Sequence, residues 1–411
     1  MQRGYVFRLI PTHEQEQYFW NASGAARFIY NWALETKQKA YNEQNISLSG
    51  YDLCKMLTQL KKKPDYAWLN EIHNKVLKKA VLDCSDAFDR MFKGKSRHPK
   101  FKSKRNTTPS FYIETSIQNK GMILKSDGTL EEKCNSYIKF FNDNTVQLSG
   151  IGRVRLSNNA KNWNLPYLTE NNIKVCNGRI KFDGLHWNLS FSLDVPEQHI
   201  KTTEEVIGID LGIKDTAICS DNTVYKNINK TSERIKKLEK RKKRYQRCIS
   251  RKYEANKIKD TSGKTKYIKT NNIKKLEKKT AKIDRTLKNI RKTYNHKISR
   301  EIVNKRPKAI VMENLNIRGM MKNKHLSKAI QQQCLYELKT YIKYKAESQG
   351  TLFIEAPRNY KSTQTCSQCG SIQKMNLSQR TYICPICGHT EDRDLNASHN
   401  LQNYGLSLLQ A

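Results

Sequence analysis

Two cysteine pairs, Cys366-Ser-Gln-Cys369-Gly370 and Cys384-Pro-Ile-Cys387-Gly388, constrain this chain more than any other feature, with fourteen residues between Cys369 and Cys384. Two residues between paired thiolates let both reach one tetrahedral ion, and the following glycine relieves the tight turn. The spacing is that of a zinc ribbon. Four thiolates leave no open coordination position, so the zinc expected at Cys366, Cys369, Cys384 and Cys387 is structural and not catalytic. His389, beside the second pair, is read as a surface residue and not a fifth ligand. The other seven cysteines (Cys54, Cys84, Cys134, Cys176, Cys219, Cys248 and Cys334) are scattered singly. They read as small buried hydrophobes of an intracellular chain, not as a disulfide framework.

The charge decides what kind of partner such a chain serves. Across 411 residues, 76 Lys+Arg stand against 38 Asp+Glu, a net charge of +38. A surplus of that size opposes compaction through self-repulsion and makes sense when a polyanion neutralises it. Nucleic acid fits. A membrane fits poorly, because mean hydropathy is −0.79 and no apolar run approaches the roughly 20 residues of a spanning helix. No signal peptide or targeting motif is evident at either end, so a cytoplasmic protein, nucleoid-associated when bound to DNA, is expected.

Four regions differ in pattern. The first opens with the strand-like "YVFRLIP" and continues as helix to about residue 95. Thr12 and Gln15 form a capping box at its start, and Gly24 suggests a break. Trp20, Tyr30 and Trp32 read as core packing in preference to base stacking. The second region, about 96–200, reads as β. In "WNLSFSLDV", Trp187, Leu189, Phe191, Leu193 and Val195 alternate with polar residues, while Asn177-Gly178 and Asp183-Gly184 are hairpin signals flanking "RIKF". Gly150 and Gly152 punctuate the preceding run, and a small basic antiparallel barrel is the expected fold. The third begins "VIGIDLGIKDTAICSD" and passes into residues 231–300, which carry 27 Lys+Arg against 6 Asp+Glu. Ile273, Leu276, Ile283, Leu287, Ile290, Tyr294 and Ile298 keep helical spacing there, and "DTSGKT" at 260–265 offers a turn. A basic helical hairpin that contacts phosphates follows. The fourth holds "PKAIVMENLNIRGM", a helix at about 326–349, the strand "TLFIEA", the cysteine pairs and the closing stretch.

Three carboxylates share a topological position. Asp210 ends the apolar run "EEVIGIDLG", Glu313 ends "PKAIVMENL", and Asp394 heads "DLNASHNLQ". Alone, each is ordinary; Asp394 would more often be a helix cap or first-turn acid. Strand ends gather at one edge of a parallel or mixed sheet. Acids clustered there repel unless divalent cations lie between them, which is how a two-metal phosphodiesterase is built.

"GIDLGIKDTAICSD", "IVMENLNIRGM", the two cysteine pairs and "DRDLNASHN" resemble the three RuvC-type blocks and embedded zinc ribbon of the TnpB (OrfB) proteins. "YVFRLIPTHEQEQ…FIYNWALE" is similar to that family's opening, so the resemblance runs from residue 4 to about 400. These are transposon-encoded RNA-guided DNA endonucleases related to the compact type V CRISPR nucleases. The resemblance implies an α+β multidomain chain: a first wedge-barrel strand at 1–10, a helical recognition domain at 11–95 and a wedge β-barrel at 96–202. An RNase H-like (RuvC) domain follows at 203–365 with a basic hairpin at 228–305. A zinc ribbon occupies 366–388, and 389–411 closes the nuclease domain. Asp210, Glu313 and Asp394 would be the catalytic acids and would hold two Mg2+. Asp394 is chosen over Asp392 because the family's block reads acid-x-Asn-Ala; Asp392 and Arg393 become helpers near the scissile phosphate. No acid departs from the pattern, so an active nuclease is expected, with guide RNA and target DNA as partners and one chain per guide. The alternatives are a nuclease-independent nucleic-acid-binding regulator, RNA-guided or helix-turn-helix, and a DNA-strand-transfer transposase; an ATPase of the actin/hexokinase type would need a second glycine-rich phosphate loop downstream, and the sequence has none.

Overall fold

The computed structural model describes residues 2–113, 117–124, 130–136, 138–141, 144–157, 175–194, 201–259, 263, 265–376 and 379–410. It divides into two units, residues 1–195 and 196–411.

In the first unit, β1 (Gln2–Ile10) alternates cleanly: Phe7 and Leu9 are buried, Val6 and Ile10 exposed. Helices α1 (His13–Gln44), α2 (Gly50–Leu60) and α3 (Asn74–Phe92) follow. The expected capping box is present, with Thr12 Oγ1 accepting from Gln15 N at 3.3 Å and Gln15 Oε1 accepting from Thr12 N at 3.1 Å. Gln15 Nε2 also donates to Arg153 O at 2.9 Å, which fixes the start of α1 on the sheet. The break expected at Gly24 does not occur. Glycine costs a helix about 1 kcal/mol relative to alanine, and buried Phe19, Ala22, Ala25, Ile29 and Ala33 anchor α1 on both sides of it.

The chain then returns as β2 (Ser110–Tyr112), β3 (Ile117–Leu124), β4 (Leu130–Ser136), β5 (Lys139–Phe140), β6 (Thr145–Leu148), β7 (Gly152–Leu156), β8 (Val175–Phe182) and β9 (Trp187–Asp194). Seven strands form an antiparallel sheet in the order β2-β8-β9-β1-β7-β6-β5, while β3 and β4 pair separately. No ladder joins β2 to β5 among the described residues. Trp187, Leu189, Phe191 and Leu193 are all buried, as their alternation predicts; Val195 lies outside the described residues. Asp183-Gly184 makes the β8–β9 turn, with Gly184 at φ +92° and Asp183 Oδ1 accepting from Leu185 N and His186 N. Asn177-Gly178 does not make a turn. It sits inside β8, where the register against β9 shifts between Cys176 and Arg179 and Asn177 has φ 55°. A left-handed residue followed by glycine suits a bulge as well as a hairpin, and local sequence does not separate the two.

The second unit is built on a five-stranded sheet. Its strands are β10 (Val206–Asp210), β11 (Asp215–Cys219), β12 (Val224–Lys226), β15 (Ala309–Glu313) and β16 (Leu352–Ala356), in the order β12-β11-β10-β15-β16. β10, β15 and β16 are parallel to one another, and β11 runs antiparallel to β10 and β12. Parallel strands are buried on both faces, which is why β10 and β15 each read as continuous apolar runs ending in an acid. Between β12 and β15 lies the basic hairpin. Helix α4 (Glu233–Ala255) packs on α5 (Asn271–Asn304) through Ile235, Ile283 and Leu287. The strands β13 (Lys257–Lys259) and β14 (Thr265–Tyr267) form a ribbon at its tip. Of the expected turn at 260–265, residues 260–262 and 264 lie outside the described residues.

One face of the sheet packs on α5 and on α7 (Leu335–Ser348), with Ile207, Ile209 and Met312 against Ile298, Ile302, Leu338 and Ile342. The single helix expected at 326–349 is two helices, α6 (Ser327–Gln333) and α7, because Cys334 between them is left-handed at φ 53°. Buried Gln333 is held there by Thr216 and by the carbonyls of Gly212 and Ile213. On the other face lies α8 (Arg393–Gln410), which buries Ala397 and Leu401. It approaches unusually closely: a Cβ at Gly208 would stand 2.0 Å from Ser398 O and 2.5 Å from Gln402 N. Gly208→Ala is therefore expected to push α8 off the sheet and lower the melting temperature by about 5–10 °C. A thermal melt indistinguishable from wild type would show that this contact does not hold the helix. Among the described residues no helix is long and apolar enough to cross a membrane, and the ten described cysteines are free.

Candidate active site

The site forms where β10, β15 and α8 meet. In the parallel ladder Ile209 pairs with Met312, so Asp210 and Glu313, one residue further, end adjacent strands at the same edge. Helix α8 runs opposite to β10: Gln402 Nε2 donates to Val206 O at 2.8 Å, and Ser398 lies over Gly208. Two strand residues advance about 6.6 Å and four helical residues about 6 Å. Asp394, four before Ser398, therefore comes level with Asp210, two beyond Gly208.

Electrostatics register the convergence. Burial, first, and then the charges of Asp394 and Glu313 push the Asp210 carboxyl up to about 7, against Arg393 and the Leu211 N–H, which act the other way. Burial also raises Glu313. Asp394 is braced by arginines, with Arg393 Nη2 at 2.9 Å from Oδ1 and Arg380 Nη1 at 3.4 Å from Oδ2. Asp392 serves differently: its Oδ1 accepts from Asp394 N at 2.9 Å and Leu395 N at 3.3 Å, which makes it the cap of α8. The carboxylate whose field reaches Asp210 is Asp394, and the cap that its position suggested is supplied two residues earlier. Asp394 and Glu313 raise the proton affinity of Asp210, and three half-buried acids so placed form a donor set suited to hard divalent cations.

The cysteines also converge. The Sγ atoms of Cys366, Cys369, Cys384 and Cys387 all lie within 4.8 Å of one another. Cys366–Cys387 and Cys369–Cys384 are 3.7 and 3.6 Å apart. Tetrahedral zinc with Zn–S near 2.3 Å requires S···S separations of about 3.8 Å, so the four residues fit zinc. Gly370 (φ +75°) and Gly388 (φ +71°) close the two turns, and Tyr382 is buried beneath them.

Several residues that local patterns did not single out join the cluster to α8. Asn396 Oδ1 accepts from Ser367 N at 3.0 Å and its Nδ2 donates to Thr365 O at 2.8 Å. Asn400 Nδ2 donates to Ser362 O at 2.8 Å. Two asparagines at i, i+4 beside the apolar Ala397 and Leu401 were the available signal. His389, expected at the surface, is half-buried. Its Nε2 lies 3.4 Å from both Glu391 Oε2 and Ser367 Oγ. Glu391 is also 3.2 Å from His399 Nδ1, whose Nε2 donates to Ser220 O at 2.9 Å.

The mixed α/β fold with its strand-end acids and four-cysteine cluster is shared with a compact nuclease of known structure. A chain in the cryo-EM structure of the Cas12f1–sgRNA–target DNA complex superposes with a TM-score of 0.59 over 98% of this chain and 99% of that one, at 13% identity. Three family models match: "Helix-turn-helix domain" of OrfB_IS605 at residues 1–45, OrfB_IS605 "Probable transposase" at 190–324, and "Cas12f1-like, TNB domain" at 336–401. The stretch covered by the first is one strand and one uninterrupted helix here. A Streptomyces pristinaespiralis protein named "Putative RNA-guided DNA endonuclease" is 25% identical over 99% of this chain and 90% of its own length. An Escherichia coli K12 protein named "Putative RNA-guided DNA endonuclease InsQ" is 24% identical over 99% and 93%. The chain is thus similar to the OrfB (TnpB) proteins over almost all of its length.

Proposed function

We propose that this chain is an RNA-guided DNA endonuclease that hydrolyses phosphodiester bonds at Asp210, Glu313 and Asp394. The observation that carries the reading is the field at Asp210, where acids from two distant parts of the chain, Glu313 and Asp394, both bear on one carboxyl. That arrangement costs folding stability at Asp210, since the charges of Glu313 and Asp394 oppose its ionisation. The names of the full-length relatives support the same reading.

Two Mg2+ held by the three carboxylates would stabilise the attacking and leaving oxygens of an in-line displacement. The chain's own residues do the positioning: β10 and β15 present Asp210 and Glu313 from rigid strand ends, and the Asp392 cap orients the first turn of α8. Arg393 and Arg380 hold the Asp394 carboxylate and bring positive charge to where a phosphate would lie. Zinc on Cys366, Cys369, Cys384 and Cys387 would be structural.

The remaining regions follow the domain layout inferred above. The sheet of residues 96–202 with its first strand at 1–10 would grip guide RNA as a wedge barrel. The helices of 11–95 would form the recognition lobe. The hairpin at 228–305 would contact phosphates, and the RNase H-like domain would span 203–365 and 389–411 around the ribbon at 366–388. Sequence choice would rest on base pairing and not on protein contacts.

The test is to express the protein with its native flanking locus and sequence the RNA that co-purifies. A single abundant structured RNA ending in variable sequence, with Mg2+-dependent cutting of DNA matching that end, is expected. Heterogeneous RNA and no guided cutting would overturn the proposal. In the same preparation, RNA affinity should fall by about a thousandfold between 50 and 200 mM salt if the basic hairpin makes six or more phosphate contacts. A flat salt response would remove the hairpin from the interface.

A further inference from the structure

Gly24 has no conformational reason to be glycine. It lies inside the regular helix α1, and a Cβ added there would meet nothing within 4 Å. Helical glycine without a packing role is a net loss of stability. The space it leaves open is the floor of a cleft of about 760 Å3 in the first unit. Trp20, Gly24 and Arg27 line it from one face of α1, at i, i+4 and i+7. Trp68 and Glu71 line it from the 3-10 turn Pro64–Glu71, and Lys104 from the loop between α3 and β2.

Both indoles are braced yet exposed. Trp20 packs on Phe182 and Trp187 at 4.9 Å, and Trp68 on Phe28 at 5.6 Å, but they remain 42% and 43% exposed. Core packing, the sequence-based expectation for Trp20, accounts for only part of that ring. Two cations line the cleft, Arg27 and Lys104, against one acid, Glu71, and the segment that supplies Lys104, residues 93–105, holds seven Lys+Arg and no acid. That loop is tied to α1, with Asn31 Oδ1 accepting from Lys102 N at 2.8 Å and Asn31 Nδ2 donating to Lys102 O at 2.9 Å. Lys102 Nζ lies 3.4 Å from the centroid of the Tyr30 ring. Held aromatic faces beside two cations suit an unpaired nucleotide, because every base has a π-face and every link a phosphate.

We propose that this cleft takes one unpaired nucleobase of a bound strand against Trp20 and Trp68, with its phosphate met by Arg27 and Lys104. The proposal rests on the functional reading above only in taking nucleic acid as the partner. It is tested with the full chain and single-stranded 12-mers, one DNA and one RNA, each carrying a single 2-aminopurine whose fluorescence an indole quenches on stacking. Wild type should quench at least one of the two; the RNA arm assigns a guide nucleotide, the DNA arm a target nucleotide. Trp68→Ala and Gly24→Leu should each reduce the quenching at saturation by about threefold or more. Gly24→Leu should at the same time raise the melting temperature by about 2–4 °C, since leucine is the better helix former. Quenching unchanged in both variants, no quenching by wild type, or a Gly24→Leu protein that melts lower would each overturn the proposal. A chain that quenches but cuts no guide-matched DNA would leave the cleft standing and remove the endonuclease reading.

Discussion

Asp210→Asn is expected to reduce cleavage of guide-matched DNA by at least about a thousandfold while guide RNA stays bound within a few-fold. Asp210 ends β10 beside Glu313 and under Asp394, so on the proposed reading removing its charge would take a cation ligand from the centre of the cluster and leave the regions proposed to grip RNA untouched. The same change should stabilise the protein when Mg2+ is omitted and zinc retained. The sign follows from linkage. The carboxyl sits at about 7 in the folded chain and near 3.9 unfolded, so the folded state holds the proton more tightly. Below pH 4 both states are protonated and the carboxylate costs nothing. From pH 4 to 7 the cost grows, and above pH 7 it is complete, at most about 4 kcal/mol. The melting temperature of Asp210→Asn should therefore exceed wild type by a margin that widens from pH 5 to pH 8. Adding Mg2+ should narrow it, because binding to the folded state stabilises wild type by mass action. Retained cutting, or an equal Mg2+-induced shift in both proteins, would sink the assignment.

Cys366→Ser is expected to take zinc from about one ion per chain to almost none, read by elemental analysis of the purified protein. Cys366 is buried and its Sγ is 3.7 Å from that of Cys387, inside the four-cysteine cluster. Binding energy at a four-thiolate site is folding energy for a segment this small, and the ribbon should become protease-sensitive. The damage should spread to cleavage. Thr365 and Ser367, which flank Cys366, hydrogen-bond to Asn396, one helical position from Leu395 and two from Asp394. Cys54→Ser, at a cysteine distant in sequence, should keep its zinc. Unchanged metal content in Cys366→Ser would mean that the ribbon holds no structural ion.

The features that sequence read well are those whose chemistry is local. A capping box needs four residues, and Thr12 with Gln15 supplied them. Alternation over "WNLSFSL" needed only the pleat to put Trp187, Leu189, Phe191 and Leu193 inside. Two cysteines at i, i+3 followed by glycine make half a zinc site by themselves, and "VIGID" and "AIVME" each announce a buried strand ending in an acid. Misreadings came where one local signal serves two structures. Asn177-Gly178 suits a bulge as well as a hairpin. Gly24 breaks a helix only when no buried residues hold both sides, and the 326–349 pattern gave no sign of the left-handed Cys334.

What sequence alone determined, then, is the inventory: the four-cysteine spacing, the acids at the ends of apolar runs, the basic hairpin and the polyanionic partner its charge requires. Tertiary structure decided which of those groups meet. Asp394 was separated from Asp392 by family pattern, but their different physical roles, a charge in the field of Asp210 and a cap on α8, depend on how closely that helix lies on β10. That closeness rests on the absent Cβ of Gly208. The half-buried position of His389 and the anchoring of the ribbon by Asn396 and Asn400 belong to the same set, since each partner lies on another element. Coulombic and hydrogen-bond energies fall off over a few ångströms of space, and distance along the chain does not report that separation until the sheet is built.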